Sequence, residues 1–413
     1  MTSFALRDAA SIVPFISAPV RGPDLTSIDV LEDASVVFED ERVDIVGRVS
    51  LGRGGFDASG CTIVPGFVDC HTHLPFFGWR ADEDAARLGG VRYETLHDEE
   101  GGIFRSARML AEASDAEVLT FGESLANAML RRGTTTFEMK SGYGLSVPGE
   151  LRQLRLARAL ASRVPQKTTA TCLAAHAIPK DKSAGEWVGE AASDLLPVVA
   201  EEGLAGACDI YVESIAFALE HAARLAESAG PLGLRMRIHT DQLEDGQAAS
   251  FAARWGFATA DHLNHTSLDA VDDLSATDTA AVLLPGATFT LRQQRKPSAR
   301  NLIEAGAVVA LGTDLNPGTS PIHSMPFVIA LACRLYGLRP LEALAAATVN
   351  AAFALGLHDE VGRLAPGGRA DAVVIEGLSF EQVPYRPDHD PVVAVVCGGE
   401  LAHVAPGQEW RIG

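Results

Sequence analysis

Positive charge, paired cysteines and long apolar runs are all scarce in this chain, and each shortage narrows what it can be. The 34 Lys and Arg face 54 Asp and Glu, so the net charge is 34 − 54 = −20. A chain this acidic is poorly suited to nucleic acid or an anionic membrane surface. A local basic pocket would still suffice for a small anionic substrate. The six cysteines (Cys61, Cys70, Cys172, Cys208, Cys333, Cys397) include no Cys-x-x-Cys pair. Several lie inside apolar strand-like runs and read as buried thiols in a reducing compartment. No apolar stretch approaches the length of a membrane span, and the first residues lack a basic, then apolar, leader pattern. A cytoplasmic protein is therefore expected. No Gly-x-Gly-x-x-Gly follows the first strand, which leaves dinucleotide binding without support.

What is present fits a large, ordered core. At 413 residues with 47% hydrophobic and 21% charged residues, the chain is the right size for a barrel with an accessory domain. Residues 1–65 carry short β-like pieces punctuated by Gly and Asp: Ser27-Ile-Asp-Val-Leu31, Ala34-Ser-Val-Val-Phe38 and Arg42-Val-Asp-Ile-Val-Gly47. The pattern returns in Gly368-Arg-Ala-Asp-Ala-Val-Val-Ile375 and Pro391-Val-Val-Ala-Val-Val-Cys397. Both ends, 1–65 and 366–413, are expected to pair into one small β domain around a central 66–365. There, apolar runs recur at 67–73, 134–140, 170–176, 207–213, 234–239, 257–262, 280–285 and 307–313. Helical patterns fill many gaps, among them Ser114–Arg132, opened by the capping box Ser114-Asp-Ala-Glu117, Glu150–Ser162, Gly246–Trp255 and Leu341–Leu355. Eight such units predict a (β/α)8 barrel of buried parallel strands, with an open doubly wound sheet as the alternative.

Catalytic groups of such barrels sit at the carboxyl ends of strands. The first run leads into His71-Thr-His73, two imidazoles that an extended backbone points the same way. The third reaches His176, the fifth ends at His239, the sixth at His262 and the eighth at Asp314. One buried His is ordinarily structural, but five at strand ends with an Asp make a metal centre. Neutral imidazoles and one carboxylate suit a single divalent cation, Zn²⁺ or Fe²⁺, and leave room for water. Asp314 could then act as proton acceptor, with His262 steadying an oxyanion.

These residues, framed by Pro65-Gly-Phe-Val-Asp69 and Gly368-Arg-Ala-Asp371, resemble the amidohydrolase superfamily. Lys140-Ser-Gly-Tyr-Gly-Leu145, Ala175-His-Ala-Ile-Pro179, Ile238-His-Thr-Asp-Gln242, Ala260-Asp-His-Leu263, Leu283-Leu-Pro-Gly286 and Thr313-Asp-Leu-Asn-Pro-Gly-Thr-Ser320 narrow the resemblance. They point to the branch that opens the cyclic amide of 4-imidazolone-5-propanoate to N-formimidoyl-L-glutamate in histidine degradation. The resemblance implies His71, His73, His239 and Asp314 as metal ligands, with Asp314, His262 and Gln242 in the chemistry. It also implies Arg80, Tyr93, Tyr143, His176, Asn316, Gly318 and Thr319 around the substrate, and a homodimer. Arg80 is the candidate clasp for the carboxylate tail, with Arg292 or Arg295 next in line. No lysine on the fourth strand could form a carbamylated bridge, which favours one metal over two.

Four features depart from the family pattern: Asn264 in place of Glu, Val212-Glu-Ser214 on the fourth strand, the loop Thr288–Lys296, and Glu99-Glu100. They bear on the substrate more than on the reaction. A deaminase or cyclic amidase acting on another heterocycle is the enzymatic rival. A deaminase needs a proton donor that the amide of Gln242 cannot supply. The non-enzymatic rival is a scaffold of the same fold.

Overall fold

The computed structural model describes residues 3–49, 54–91 and 101–413. Among these, both chain ends build one mixed sheet. Its strands are β1 (Ser3–Ile12), β2 (Leu31–Glu39), β3 (Arg42–Gly47), β4 (Phe56–Asp57) and β5 (Cys61–Pro65). The barrel follows as β6 (Phe67–Asp69), β7 (Thr134–Lys140), β8 (Lys167–Ala175), β9 (Ala207–Val212), β10 (Arg235–Thr240), β11 (Thr259–His262), β12 (Ala280–Leu283) and β13 (Val309–Leu311). The chain then returns to the first sheet with β14 (Ala372–Glu376), β15 (Val392–Cys397) and β16 (Glu400–Val404). The terminal sheet runs β16-β15-β14-β5-β1-β2-β3, with β4 beside β1. β5 is buried along its whole length because it lies between β1 and β14. Leu6, Phe38, Phe56, Ile63 and Val374 form this sheet's own core.

Gly66 alone separates β5 of the first sheet from β6 of the barrel. Its N–H donates to the Asp371 carbonyl at 3.1 Å, and a Cβ there would fall 2.1 Å from Thr135 Oγ1. That close approach is why Pro-Gly-Phe and Gly-Arg-Ala-Asp frame the barrel at either end of the chain.

The eight barrel strands are parallel and follow chain order from β6 to β13. The ring is stitched beyond the last strand, where Asp314 N donates to the His71 carbonyl and His73 N to the Leu315 carbonyl, both at 2.9 Å. Helices cover the outside. The one at Asp115–Arg131 starts on the reciprocal Ser114/Glu117 cap and buries Val118, Leu125, Ala126 and Met129. Strand alternation sorts the side chains. Phe137 and Met139 of β7 join the outer apolar layer, whereas Glu138 and Lys140 between them meet Asp209 and Arg237 inside the ring.

Two local expectations fail. Gly22–Ser27 is a 3-10 turn and the strand begins only at Leu31, because Pro23 sits at the start of that turn. The helix expected over Leu341–Leu355 is two, Pro340–Ala346 and Val349–Leu355. They part at Thr348, whose backbone is non-helical (φ −132°, ψ −96°) while its hydroxyl returns to the Leu344 carbonyl at 2.7 Å.

Candidate metal centre and substrate pocket

β6 ends at Asp69, so His71 and His73 stand just beyond it, and Asp69 fixes their approach. Its carboxyl accepts from Thr313 N (2.9 Å) and Thr313 Oγ1 (2.6 Å), tying the first strand end to the eighth. Asp314 follows in the left-handed region at φ +55°, as do His262 (φ +82°) and Leu263 (φ +63°). Non-glycine residues hold such conformations only where the surroundings dictate them, commonly at functional sites. Here those turns aim Asp314 and His262 across the mouth of the ring.

The ring nitrogens of His71, His239 and His262 lie within 4.8 Å of one another, and those of His71 and His73 within the same distance of an Asp314 oxygen. Asp314 Oδ1 is 3.2 Å from His73 Nε2 and 3.6 Å from His71 Nε2. The fit to a cation rests on what the other edges of the rings do. His71 Nδ1 donates to Asp261 Oδ2 at 2.6 Å, and His239 Nδ1 to Asp209 Oδ1 at 3.1 Å. Each Nε2 is then a buried lone pair without a hydrogen-bond partner among the described residues. Histidines that bind a metal through Nε2 are held in this way by carboxylates at Nδ1. The donor set, two overlapping groups of His71, His239 and His262 and of His71, His73 and Asp314, therefore suits a divalent cation.

Burial first, and then neighbouring cationic groups, hold His71 and His73 well below the usual imidazole range, so both rings are neutral, as ligands must be. Burial likewise takes His262 down to about 3 and raises Asp314 above the ordinary carboxyl value.

The two carboxylates behind the ligands belong to an ionic cluster that the strand patterns concealed. Lys140 Nζ contacts Asp209 at 2.7 Å and Glu138 at 2.9 Å. Arg237 reaches Glu138 at 2.7 Å and Asp261 at 3.3 Å. Burial alone would lower Lys140, but the surrounding carboxylates outweigh it and raise it. Burial opposes ionisation of Asp209 as well, yet His239 first, then Lys140 and Arg237, hold it well below the usual carboxylate range. The available signal was charge at alternate positions inside apolar strands: Glu138 and Lys140, then Arg237 and His239.

Around the centre, one cavity is lined by His73, His239, His262 and Asp314, by Gln242, expected in the chemistry, and by the expected substrate residues Arg80, Tyr143, His176, Asn316 and Thr319, whereas Gly318 is not in the lining. Tyr211 and Ile103 complete the lining without having been foreseen. Gly142 (φ +114°) brings Tyr143 in, since a Cβ at that position would meet His176 Nδ1 at 2.8 Å and the Leu173 carbonyl at 2.9 Å. The buried Glu150 carboxylate gathers the N–H groups of Gly142, Gly144 and Leu145, which explains the Lys-Ser-Gly-Tyr-Gly stretch. His176 Nδ1 is 3.1 Å from the Gly142 carbonyl, and its ring stacks on His73 at 5.0 Å. Asn316 makes an Asx turn, accepting from Gly318 N (2.9 Å) and Thr319 N (2.7 Å).

Arg80 is only 3% exposed. Its Nη1 donates to Glu83 at 3.2 Å, and its Nε has no partner among the described residues. The guanidinium lies against Gly318, where a Cβ would fall 1.5 Å from Nη2. Arg292 and Arg295 are exposed and do not line the cavity. Tyr93 and the Glu99-Glu100 pair lie outside the described residues. A wider cleft of about 850 Å³ opens at the opposite end of the barrel, by Arg235, Trp255 and Phe257 at or near strand starts. It has none of these groups.

A parallel eight-stranded barrel with histidines and an aspartate gathered at its carboxyl mouth is the architecture of a metal-dependent hydrolase. Comparison with known proteins agrees. The profile of the amidohydrolase family matches residues 206–404. An imidazolonepropionase of Symbiobacterium thermophilum is 40% identical over 95% of both chains. One of Rubrobacter xylanophilus is 41% identical over 95% of this chain and 96% of its own. Among solved structures, a triazine hydrolase variant superposes with a TM-score of 0.74 at 16% identity, covering 98% of this chain and 96% of its own. Guanine deaminase of E. coli superposes with 0.68 at 18% identity, covering 98% and 99%. Those two likenesses concern the fold. The chain belongs to the imidazolonepropionase family of the amidohydrolases.

Proposed function

We propose that this protein hydrolyses the cyclic amide of 4-imidazolone-5-propanoate to N-formimidoyl-L-glutamate, the reading supported by relatives named imidazolonepropionase. The observation that carries it is a buried guanidinium, Arg80, facing the same small cavity as the histidine–aspartate centre. Such a pocket takes a flat heterocycle with one anionic arm. In a chain of net charge −20, that arm needs a local cation.

The cofactor is one divalent metal, zinc or iron, held by His71, His73, His239 and Asp314; when bound it polarises the amide carbonyl and activates water at neutral pH. Asp314 accepts the proton of the attacking water and returns it to the departing ring nitrogen. The neutral imidazole of His262 supports the oxygen on which charge develops. Gln242 offers its amide to the ring, with Tyr143 and His176 gripping the edge and Tyr93 a further candidate. Asn316, Gly318 and Thr319 shape the turn behind Arg80. Residues 66–365 form the catalytic domain and 1–65 with 366–413 the β domain that braces it. A cytoplasmic homodimer completes the reading. Among the described residues no helix is long and apolar enough to cross a membrane.

The deciding experiment incubates the metal-loaded protein with enzymatically generated imidazolone propionate and follows loss of its absorbance. Absence of turnover beyond the spontaneous rate would overturn the proposal.

A further inference from the structure

Two of the departures from the family pattern, Asn264 and the loop Thr288–Lys296, are one feature in space. Asn264 is buried at the end of β11, and its amide nitrogen faces three oxygens of the loop. These are Thr288 Oγ1 at 2.9 Å, Gln293 Oε1 at 3.1 Å and the Arg295 carbonyl at 3.2 Å. Thr288 is anchored in turn, with its hydroxyl 2.7 Å from Tyr336 Oη. The other end of Gln293 turns to the pocket, where Nε2 donates to the main-chain carbonyl of Gln242 at 3.0 Å.

Gln242 is thereby gripped from three sides. Its N–H donates to Glu213 Oε1 at 2.5 Å, its carbonyl accepts from Gln293, and its side-chain Oε1 accepts from Tyr211 Oη at 3.1 Å. Asn264 and Gln242 are both nearly fully buried, so little water competes for these bonds. The match is also chemical. An amide NH2 satisfies acceptor oxygens, whereas a carboxylate at residue 264 would present only further oxygen to Gln293 Oε1 and the Arg295 carbonyl.

We propose that Asn264 and Gln293 are positioning residues that act through the loop to hold Gln242 against the substrate ring, and so set how tightly this enzyme grips its heterocycle. The proposal rests on the pocket assignment above; neither residue touches substrate. Asn264→Asp removes the donor at nearly constant shape, and Gln293→Ala removes the tie to Gln242.

Two measurements are made on the full-length, metal-loaded protein. Hydrogen–deuterium exchange of the peptide spanning residues 241–243 needs no substrate, and both variants should speed it at least about fivefold, the effect of losing one hydrogen bond of about 1 kcal/mol. Steady-state kinetics on imidazolone propionate should show KM rising more than kcat falls, with kcat/KM reduced by about tenfold. In a Gln242→Ala background the same substitutions should change kcat/KM by less than about twofold, because the tie to the main-chain carbonyl remains but the side chain it positions is gone.

Unchanged exchange at 241–243 in both variants overturns the tie. Full additivity with Gln242→Ala overturns the route through Gln242 and leaves a general support of the loop. Were the wild type inactive on this substrate, the assigned reaction would fall while the exchange measurement still decided the clamp.

Discussion

The contact between Arg80 and Gly318 allows the carboxylate clasp to be tested without deleting a charge. A methyl group added at Gly318 would lie 1.5 Å from Arg80 Nη2 and 2.3 Å from Cζ. Non-bonded heavy atoms settle at about 3.5–4 Å, so the guanidinium would have to retreat by about 2 Å. Long side chains usually absorb such a clash cheaply. This one is 3% exposed and held by Glu83 at 3.2 Å, so any retreat takes it off its present position in the cavity lining. Gly318 has an ordinary backbone, so alanine there adds no strain of its own. Losing a charged contact that leaves its partner buried costs about 2–5 kcal/mol. At about 1.4 kcal/mol per tenfold, Arg80→Ala should reduce kcat/KM by about 30-fold or more. Gly318→Ala should reproduce most of that loss. Glu83 keeps Gly102 N and Arg105 Nη1 as partners at 3.3 and 3.4 Å when Arg80 is removed, so neither variant should unfold. The assay compares kcat/KM for imidazolone propionate with that for an analogue lacking the carboxylate. The wild type should turn the analogue over poorly, and both substitutions should then cost little more. Gly318→Ala within about threefold of wild type, or equal losses on both substrates, would refute the clasp and leave Arg80 as part of the pocket wall.

Three further outcomes are expected. Asp314→Asn keeps the shape of the side chain but cannot take a proton, so turnover should vanish while the fold, read by circular dichroism, remains; activity within tenfold would place the proton acceptor elsewhere, with His262 next. Lys140→Met leaves Glu138, Asp209 and Asp261 facing Arg237 alone, and breaking such buried pairs typically costs about 3–5 kcal/mol; urea unfolding of the variant should show a loss of that order, and a loss under about 1 kcal/mol would mean the cluster is not ionised as drawn. Burial raises Glu213 from 4.5 to about 7, against the hydrogen bonds from Leu243 and Gln242. The native state thus holds that proton more tightly than the unfolded chain, so the contribution to stability is full below about pH 4.5 and is lost as pH rises through about 7. Glu213→Gln should flatten the fall in urea midpoint across that interval, and an unchanged slope would assign it to other groups.

The barrel was legible because each buried parallel strand is a short apolar run that ends where chemistry begins. His239 and Asp314 declare themselves as polar endings on such runs, and the capping box at Ser114 fixes a helix start to the residue. Legibility failed where the deciding contact is distant in sequence. No Gly or Pro interrupts the alanine-rich run from Leu341 to Leu355, and at its break the Ala347 carbonyl accepts from the distant Val68 N–H at 2.9 Å. Asn264 read as a departure of unknown consequence because its three acceptors lie 24–31 residues further along the chain. Tyr211 gave no signal, since a tyrosine in a buried strand is ordinary β composition.

The ionic cluster shows why the missed part of the site matters most. Filling the barrel with Glu138, Lys140, Asp209, Arg237 and Asp261, all at most 2% exposed, is costly. Each buried ion forfeits several kcal/mol of hydration, and well-packed apolar side chains of similar size would commonly be as stable. The expense reaches the centre at two points, Asp261 on His71 and Asp209 on His239. Those bonds fix which nitrogen of each ring carries the proton and the direction in which the free nitrogen points. Lys140 and Arg237 then stop the carboxylates from turning away. Within the cluster, Glu138, Asp209 and Asp261 also outnumber Lys140 and Arg237 by one in formal charge, the sign that favours a divalent cation at the mouth. The strands carry this arrangement into the ring from β7, β9, β10 and β11. With β6, which leads to His71, five elements must therefore be in register before the two histidines can act together, which makes the closed barrel itself the device that presets the centre.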